Sequence, residues 1–295
     1  MRRAIIAVGV LVALSIVLLL AAGVILGEGA LRVPRHHNQV LDAVSGVRSV
    51  QIVARDGIHL NGWIVSPLPP ARDCVVVLHG IADSRSSMAG FARLFTANNY
   101  TVLLPDSRGH GDSEGAIVTY GVLEADDVHR WVDLLISSEG CRHVLGLGES
   151  LGAGILLQSL SIEPRFRAVV AESPFASLER IGQARVAERL PLPPVLGRPM
   201  ALPIVLSGFL YARLRYGIDL FDASPETAVR RSTIPILLIH GLKDTRTSAE
   251  NSRILAASNP RIVLWLVPDA GHTNASVVEP VEFRKRVLEW FRVHG

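Results

Sequence analysis

Hydrophobic and polar positions divide the chain into one long apolar segment at the N-terminus and a series of shorter apolar runs. Residues 4–26 contain no charged side chain, and Arg2 and Arg3 precede them. A helix of this length can cross a bilayer, whereas the apolar region of a cleaved signal peptide usually spans only about 7–15 residues. We therefore predict an uncleaved transmembrane anchor over residues 1–27 and a polar linker over residues 28–47.

Downstream of the linker, the apolar runs have the lengths and composition of β-strands. Two loosely alternating runs, residues 50–53 and 60–65, flank Asp56 and Gly57 and predict a β-hairpin. The later runs are continuously apolar and rich in β-branched residues, as in strands buried on both faces of a parallel sheet; they occupy residues 74–78, 101–104, 144–147, 168–171, 236–239 and 262–267. Helical spacing of apolar residues between them predicts one α/β domain over residues 48–295, with a mostly parallel, doubly wound sheet.

Residues 176–230 interrupt this alternation of strands and helices. They contain no run typical of a strand, and prolines, including Pro199 and Pro203, divide them into helical pieces. The apolar stretch over residues 200–210 is too short to span a membrane. We expect an inserted helical cap over the carboxyl edge of the sheet, whose apolar residues pack against the main domain or line an apolar pocket.

The distribution of charge argues against a nucleic-acid partner and only slightly favours one orientation of the predicted anchor in the membrane. With 30 Lys and Arg against 27 Asp and Glu, the net charge is +3, and the basic residues are scattered rather than clustered. This distribution is not typical of a surface that binds nucleic acid. Basic residues flank both ends of the apolar segment, but the short tail before it favours a downstream domain outside the cytoplasm.

The two cysteines, Cys74 and Cys141, each open a predicted strand. They do not have the C-x-x-C spacing of a metal or redox site, so we expect buried structural thiols and assert no disulfide. The His36-His37 pair in the linker likewise lacks Cys or His partners at the spacing of metal ligands. These residues therefore predict no metal site.

A glycine-rich stretch, G-L-G-E-S-L-G-A-G at residues 146–154, separates a predicted strand from a predicted helix. A dinucleotide-binding G-x-G-x-x-G fingerprint fails because Leu151 occupies the third glycine position, although Glu172 lies where an acidic partner is expected. A phosphate-binding Walker A loop fails because G-K-[ST] is missing. By contrast, residues 148–152 match G-x-S-x-G completely, and such a turn exposes a serine, here Ser150, above the sheet.

Two further residues complete the set that such a serine needs, in the required order of serine, acid and histidine. Asp244 follows one predicted strand and His272 follows the last, so both are expected at the carboxyl edge of the sheet. We predict that Ser150 is the nucleophile, that His272 is its general base and that Asp244 orients His272. The backbone N–H groups of Leu151 and Ile81 are the predicted oxyanion-hole donors.

Together, these segments resemble the α/β-hydrolase family from about residue 48 to the C-terminus. The resemblance is carried by H-G-I at residues 79–81, D-S-R-G-H-G-D-S-E-G at 106–115, the Ser150 turn, E-S-P-F at 172–175 and the loops of Asp244 and His272. It is closest to membrane-anchored bacterial serine hydrolases and the related acyl-protein thioesterases. The resemblance implies an α/β-hydrolase fold, a structural role for Asp106 and Gly109, and cofactor-free hydrolysis of esters or thioesters.

The resemblance does not identify the substrate, because the cap sets specificity in this family and varies most among its members. We expect a small-molecule or lipid-like acyl substrate, cleaved through an acyl-enzyme on Ser150. An aminopeptidase or amidase would use the same three residues, and a catalytically silent, membrane-tethered binding protein would keep the fold. The intact set of Ser150, Asp244 and His272 argues against the silent alternative. The pattern leaves the oligomeric state open.

Overall fold

The computed structural model of the chain describes residues 2–37 and 46–295. The chain forms two compact units, each built from two separate stretches of sequence. The larger unit combines Val33–Ser177 with Ala223–Gly295, and the smaller unit combines Met1–Arg32 with Leu178–Asp222. The predicted anchor and most of the predicted cap therefore belong to the smaller unit.

The larger unit is built around one eight-stranded sheet. Its strands are β1 Val47–Val53, β2 His59–Val65, β3 Asp73–Leu78, β4 Thr101–Pro105, β5 His143–Glu149, β6 Phe166–Glu172, β7 Ile236–Gly241 and β8 Ile262–Val267. They lie in the order β1-β2-β4-β3-β5-β6-β7-β8. β1 and β2 are antiparallel, β2 is antiparallel to β4, and the remaining neighbours are parallel. The predicted hairpin and mostly parallel sheet are confirmed.

Helices cover both faces of this sheet. In the larger unit they are α2 Ala89–Thr96, α3 Glu124–Ser137, α4 Leu151–Ser159, α7 Pro225–Val229, α8 Glu250–Ser258, α9 Ala275–Val278 and α10 Pro280–His294. The main hydrophobic core lies between one face and helices α2 and α10, where the rings of Phe95 and Phe291 are 5.6 Å apart. α4 packs on the other face, where a Cβ at Gly146 would lie 2.7 Å from Leu156. Packing on both faces fixes the strand ends that carry the candidate site.

The smaller unit is helical, with α1 at Arg2–Leu31, α5 at Leu178–Arg189 and α6 at Pro194–Tyr216. α6 packs against both α1 and α5. Within the described residues, two helical stretches are long and apolar enough to cross a membrane, Ile6–Leu31 in α1 and Val195–Tyr216 in α6.

α1 extends beyond residue 27, where the predicted anchor ends, and includes the first residues of the predicted linker. Of that linker, residues 38–45 lie outside the described residues. An i, i+4 ion pair between Glu28 and Arg32 follows the apolar segment, which favours continuation of the helix over these polar positions.

α6 continues through Pro199 and Pro203, where the sequence predicted separate helical pieces. A proline inside a helix removes one backbone donor and crowds the carbonyl group four residues earlier. α6 is nonetheless one helix, because its packing against α1 and α5 stabilises it more than intrinsic propensity disfavours it. The apolar stretch over residues 200–210 is therefore part of a longer helix.

Cys74 and Cys141 form a disulfide, so the expectation of structural thiols is wrong. β3 and β5 are neighbouring parallel strands, with Cys74 opposite Val144. Cys141 lies just before β5, and its Cα atom is 5.9 Å from that of Cys74. The two residues are 67 positions apart in the sequence, and only the strand order brings them together.

Candidate active site

Ser150 occupies a sharp turn between β5 and α4. Its backbone has φ +52° and ψ −112°, in a region that L-residues seldom occupy. Gly148 and Gly152 permit the turn: a Cβ at Gly148 would lie 2.5 Å from the carbonyl oxygen of Gly152, and a Cβ at Gly152 would lie 2.4 Å from that of Leu78. Backbone atoms cannot move aside as a flexible side chain does. Both glycines are therefore required by close backbone approach, and the turn holds Ser150 at the carboxyl edge of the sheet.

Asp244 and His272 lie on the loops that follow β7 and β8, and the structure brings both to Ser150. His272 Nε2 is 2.8 Å from Ser150 Oγ, and His272 Nδ1 is 2.8 Å from Asp244 Oδ2. An ionised carboxylate only accepts hydrogen bonds, so Nδ1 donates to Asp244 and Nε2 accepts from the Ser150 hydroxyl. The arrangement can therefore draw the hydroxyl proton toward His272.

The buried carboxyl group of Asp244 is kept ionised by its hydrogen bonds. Burial opposes the charge, but donors from His240, His272 and the N–H of Thr247 outweigh it and lower the pKa of Asp244 well below its usual range. Oδ1 accepts from the N–H groups of Arg246 and Thr247, each at 2.8 Å. A charged carboxylate beside His272 Nδ1 selects the tautomer with a free Nε2 and stabilises the ring when it is protonated.

His240 contacts Asp244, which the order of motifs does not reveal. Its Nε2 lies 2.7 Å from the carbonyl oxygen of Thr247 and 3.3 Å from Asp244 Oδ2. Since a carbonyl oxygen only accepts, Nε2 carries a proton and directs it at both oxygens. The ring is fully buried, with Nδ1 2.7 Å from Ser252 Oγ. The sequence signal that points to this contact is the position of His240 at the end of β7, shortly before Asp244.

The loop of His272 is fastened to the end of β6, a second set of contacts that the sequence analysis missed. Glu172 Oε1 accepts from the N–H of Ala275 at 2.9 Å, and Ser173 Oγ accepts from the N–H of Thr273 at 3.3 Å. Both donors lie just after His272. These contacts position the imidazole ring beside the serine turn.

Two carboxyl groups near the serine turn are held partly protonated at neutral pH. Burial raises the pKa of Glu172 to about 7. The hydrogen bond from the N–H of Ala275 opposes this rise, and repulsion from Asp244 adds to it. Burial also raises the pKa of Glu149 to about 8, with added repulsion from Glu172 and Asp83. Glu172 Oε2 has no hydrogen-bond partner among the described residues. When Glu172 is protonated, Asp244 therefore has no second negative charge from Glu172 beside it.

The predicted oxyanion-hole donors belong to segments that adjoin Ser150. Leu151 is the first residue of α4, where the N–H groups of a helix have no partner within the helix. Ile81 follows Gly80, and a Cβ at Gly80 would lie 3.6 Å from the Cβ of Ser150. Both segments are therefore within reach of a group bound at the serine.

His79 and His110 hold the loop that contains Ile81. His79 Nδ1 donates to the carbonyl oxygen of Gly80 at 2.8 Å, and its Nε2 accepts from the N–H of Ser107 at 3.1 Å. His110 Nε2 accepts from the N–H of Ala82 at 3.1 Å. Burial lowers the pKa of both rings, that of His110 to about 4. Both rings are therefore neutral braces of the loop.

The loop after β4 is closed around Asp106, whose side chain is fully buried. Its Oδ1 accepts from the N–H of Arg85 at 2.7 Å, and its Oδ2 accepts from the N–H of Asp112 at 2.8 Å. Gly109 has φ +74°, a conformation that favours glycine. These contacts agree with the structural role that the resemblance implies for Asp106 and Gly109.

The imidazole and carboxyl groups around Ser150 form hydrogen-bonded pairs and chains rather than a metal-binding cluster. Across residues 2–37 and 46–295, no group of three or more His, Cys, Asp or Glu side chains is arranged to hold a metal ion. What the arrangement can do chemically is move one proton between a hydroxyl group and an imidazole ring.

Comparisons with known proteins relate this arrangement to a family. The sequence profile of the Alpha/beta hydrolase family matches residues 75–286. The uncharacterized protein YqkD of Bacillus subtilis is 24% identical over 238 residues, covering 79% of this chain and 75% of YqkD. A monoacylglycerol lipase of Mycolicibacterium smegmatis is 27% identical over 238 residues, covering 72% of this chain and 85% of the lipase.

Solved structures have the same architecture. The esterase Pf2001 of Pyrococcus furiosus is 25% identical in sequence and superposes with a TM-score of 0.72, covering 89% of this chain and 99% of the esterase. The family match spans most of the chain and includes the serine turn and both loops at the carboxyl edge. The chain therefore belongs to the alpha/beta hydrolase family and is a hydrolase with an esterase-like fold.

Proposed function

We propose that the chain hydrolyses carboxylic ester or thioester bonds through an acyl-enzyme formed on Ser150. The observation that carries the proposal is the pair of 2.8 Å contacts that join Ser150 Oγ to His272 Nε2 and His272 Nδ1 to Asp244 Oδ2. These residue types, in this order and geometry, activate the serine of serine hydrolases. The esterase-like fold of the chain supports an ester or thioester as the bond that is cleaved.

In the acylation step, Ser150 Oγ attacks the carbonyl carbon of the substrate while its proton moves to His272 Nε2. The carbonyl oxygen becomes negatively charged and accepts hydrogen bonds from the N–H groups of Leu151 and Ile81. His272 then gives the proton to the oxygen or sulfur atom of the leaving group, and the bond from the carbonyl carbon to that atom breaks. The acyl group is left esterified to Ser150.

Deacylation repeats these steps with water as the nucleophile. His272 takes a proton from the water molecule as its oxygen attacks the acyl carbon, and the intermediate collapses when His272 protonates Ser150 Oγ. The carboxylic acid leaves, and Ser150 is regenerated. Asp244 holds the Nδ1 proton throughout, so Nε2 faces the reacting atoms in both halves of the reaction.

We infer a small-molecule or lipid-like acyl substrate. The likeness to a protein named a monoacylglycerol lipase supports the lipid-like case. A series of p-nitrophenyl esters, from acetyl to palmitoyl, gives kcat/KM as a function of chain length. We expect the highest values for medium or longer chains, and activity confined to the acetyl ester would contradict this expectation.

Parallel assays on an ester, a thioester and an aminoacyl amide separate the proposed activity from that of an aminopeptidase. We expect the wild-type chain to cleave the ester or the thioester, and Ser150→Ala to lose about 10⁶-fold in kcat. Ser137→Ala, which removes a surface hydroxyl group from α3, is the matched control and should keep wild-type activity. Cleavage of the amide alone, or unchanged ester hydrolysis by Ser150→Ala, would refute the proposal.

We also infer that α1 anchors the chain in a membrane, with the larger unit outside the cytoplasm. The apolar stretch of α1 is long enough to cross a bilayer. The disulfide between Cys74 and Cys141 supports the extracytoplasmic side, because disulfides persist in oxidising compartments and are rare in cytosolic proteins. A C-terminal alkaline phosphatase fusion should be active in intact cells. An inactive fusion would put the larger unit in the cytoplasm.

A further inference from the structure

We propose that α6 is a second membrane-embedded helix, whose exposed apolar face lies in the hydrocarbon of the bilayer beside α1. This role of α6 rests on the proposed anchoring of α1 and is separate from the hydrolytic activity. The acyl chains of membrane lipids, rather than another protein, cover the apolar face.

α6 presents a row of large apolar side chains to its surroundings. Leu206, Leu210 and Leu214 recur every four residues, which places them on one side of the helix. Their exposed fractions are 38%, 53% and 78%, and nearer the start of α6 Met200 and Leu196 are also exposed, at 46% and 53%. Soluble monomeric proteins rarely expose large apolar patches, and such patches mark surfaces that a partner or a membrane covers. We therefore expect another molecule or a membrane to cover these apolar side chains of α6.

α6 packs against α1 through small residues, as helices in membranes do. Gly23 and Gly27 form a G-x-x-x-G pair on α1 and meet Ser207 and Gly208 of α6. A Cβ at Gly23 would lie 1.6 Å from Ser207 Oγ, and a Cβ at Gly208 would lie 2.9 Å from the carbonyl oxygen of Gly23. The two backbones are thus in direct contact. The Ser207 hydroxyl donates to the carbonyl oxygen of Ile204 at 2.9 Å, so it needs no water as a partner.

A polar cluster at one end of the helix pair marks the boundary between hydrocarbon and water. Glu28 of α1 accepts hydrogen bonds from Tyr211 at 3.0 Å and from Tyr216 at 2.7 Å, and Arg32 donates to Tyr216 at 3.2 Å. Tyrosine is enriched at membrane–water interfaces, where its ring is apolar and its hydroxyl group is hydrated. The apolar segment of α1 and most of the apolar row of α6 precede this cluster in sequence. Because Gly23 and Gly27 of α1 meet Ser207 and Gly208 of α6 in the same order, the two helices run parallel. Both apolar stretches therefore lie on the same side of the cluster, the side that faces the hydrocarbon.

The exposed surface of α1 explains why lipid, rather than protein, is the partner of α6. α1 exposes apolar side chains along its length, including Leu18 at 61% and Ile25 at 70%. When α1 is in the bilayer, lipid acyl chains surround it and also reach a helix whose backbone touches it. A protein that covered α6 would have to displace these lipids without gaining hydrophobic burial, because acyl chains are as apolar as leucine.

Single-cysteine labelling tests this placement in the full-length protein. Both native cysteines are in the disulfide, so an NBD fluorophore attaches only to an introduced cysteine. Leu210→Cys reports on α6, Leu14→Cys reports on α1, and Val281→Cys, at an 80% exposed apolar position of α10, is the matched control. Each protein is reconstituted in phosphatidylcholine vesicles with or without doxyl groups on the acyl chains, and the loss of NBD emission is measured.

We expect doxyl lipids to remove most of the emission of the labels at positions 14 and 210, and little of the emission at 281. Quenching at 14 without quenching at 210 would overturn the embedding of α6 and leave the anchor intact. An unquenched label at 210 that is also shielded from aqueous iodide would instead assign the face to a second copy of the chain, and equally overturn it. Absence of quenching at both positions would overturn the anchor as well. Ester hydrolysis on the same vesicles reports separately on folding and on the proposed enzymatic function.

Discussion

Which ring nitrogen of His272 carries the proton depends on the charge of Asp244. The Asp244 carboxylate only accepts hydrogen bonds, and it lies between the rings of His240 and His272. An asparagine would offer an amide N–H in place of a carboxylate oxygen, so His272 could take the tautomer that presents Nε2–H to Ser150. We expect Asp244→Asn to lower kcat by about 10⁴-fold with an unchanged circular dichroism spectrum. Asp269→Asn is the matched control, because its carboxylate is 72% exposed and pairs with Lys243 at the surface. Equal activities of the two variants would contradict the assignment of Asp244.

The free energy of unfolding should depend on pH because folding raises the pKa of Glu172. Its pKa rises from 4.5 to about 7 on folding, so the folded state favours the protonated form. Glu172 therefore lowers the free energy of unfolding progressively as pH increases from about 4.5 to about 7, and the lost stability stays lost above that range. Glu172→Gln keeps an oxygen for the N–H of Ala275 and cannot ionise.

Urea denaturation of the wild type and of Glu172→Gln at about pH 5 and about pH 8 measures this effect. Relative to the wild type, the variant should gain up to about 3 kcal/mol of stability between the two pH values, since one pKa unit corresponds to about 1.4 kcal/mol. A stability difference that does not change with pH would show that Glu172 is ionised in the folded state throughout.

At the same scale, the sequence predicts which residues meet but not all of their contacts. Ser150, Asp244 and His272 each follow an apolar strand, and a parallel sheet brings the carboxyl ends of its strands to one edge. The sequence therefore contains the information that places them together. The position of His240 shortly before Asp244 indicates that the two residues are near each other. Their contact, and those of Glu172, also depend on side-chain directions that spacing along the chain does not encode.

At the scale of elements, the turn between β5 and α4 is the most constrained part of the candidate site. The added Cβ of Gly152→Ala would lie 2.4 Å from the carbonyl oxygen of Leu78 in β3. Because this contact is between backbones, we expect Gly152→Ala to lower the free energy of unfolding by about 1–3 kcal/mol and to reduce ester hydrolysis.

Gly90→Ala is the matched control for this substitution. Gly90 lies in α2, and a Cβ there would meet nothing within 4 Å. Alanine disfavours the unfolded chain and favours the helix, so this variant should be about 0.5–1 kcal/mol more stable than the wild type. Urea denaturation compares the two variants directly. A Gly152→Ala protein as stable and as active as Gly90→Ala would show that the serine turn is not tightly packed.

Elements of the sheet are more predictable from sequence than elements of the smaller unit. Six strands of the sheet are short, continuously apolar runs and the first two alternate loosely, and the structure contains all the predicted strands. α6 could not be predicted as one helix, since Pro199 and Pro203 locally disfavour it. Its continuity comes from contacts with α1, which is distant in sequence, and with α5, which packs against α6 only when the smaller unit is folded.

At the scale of the whole molecule, the disulfide indicates the compartment in which the larger unit folds. Cys74 and Cys141 belong to neighbouring strand segments, so the bond forms only if the larger unit folds where thiols are oxidised. We expect both cysteines to resist maleimide when cells are lysed and the protein is unfolded in its presence, and to react only after reduction. Modification before reduction would place the larger unit in the cytoplasm and contradict the proposed orientation.

The acylation of Ser150 is tested most directly by locating the covalent adduct of a fluorophosphonate probe. Such probes react with a serine that a neighbouring base has activated. The account predicts that mass spectrometry of the digested protein finds the adduct on Ser150, that Ser150→Ala is not modified, and that Asp244→Asn is modified far more slowly than the wild type. Modification of a different residue, or of Ser150→Ala at the wild-type rate, would contradict the account.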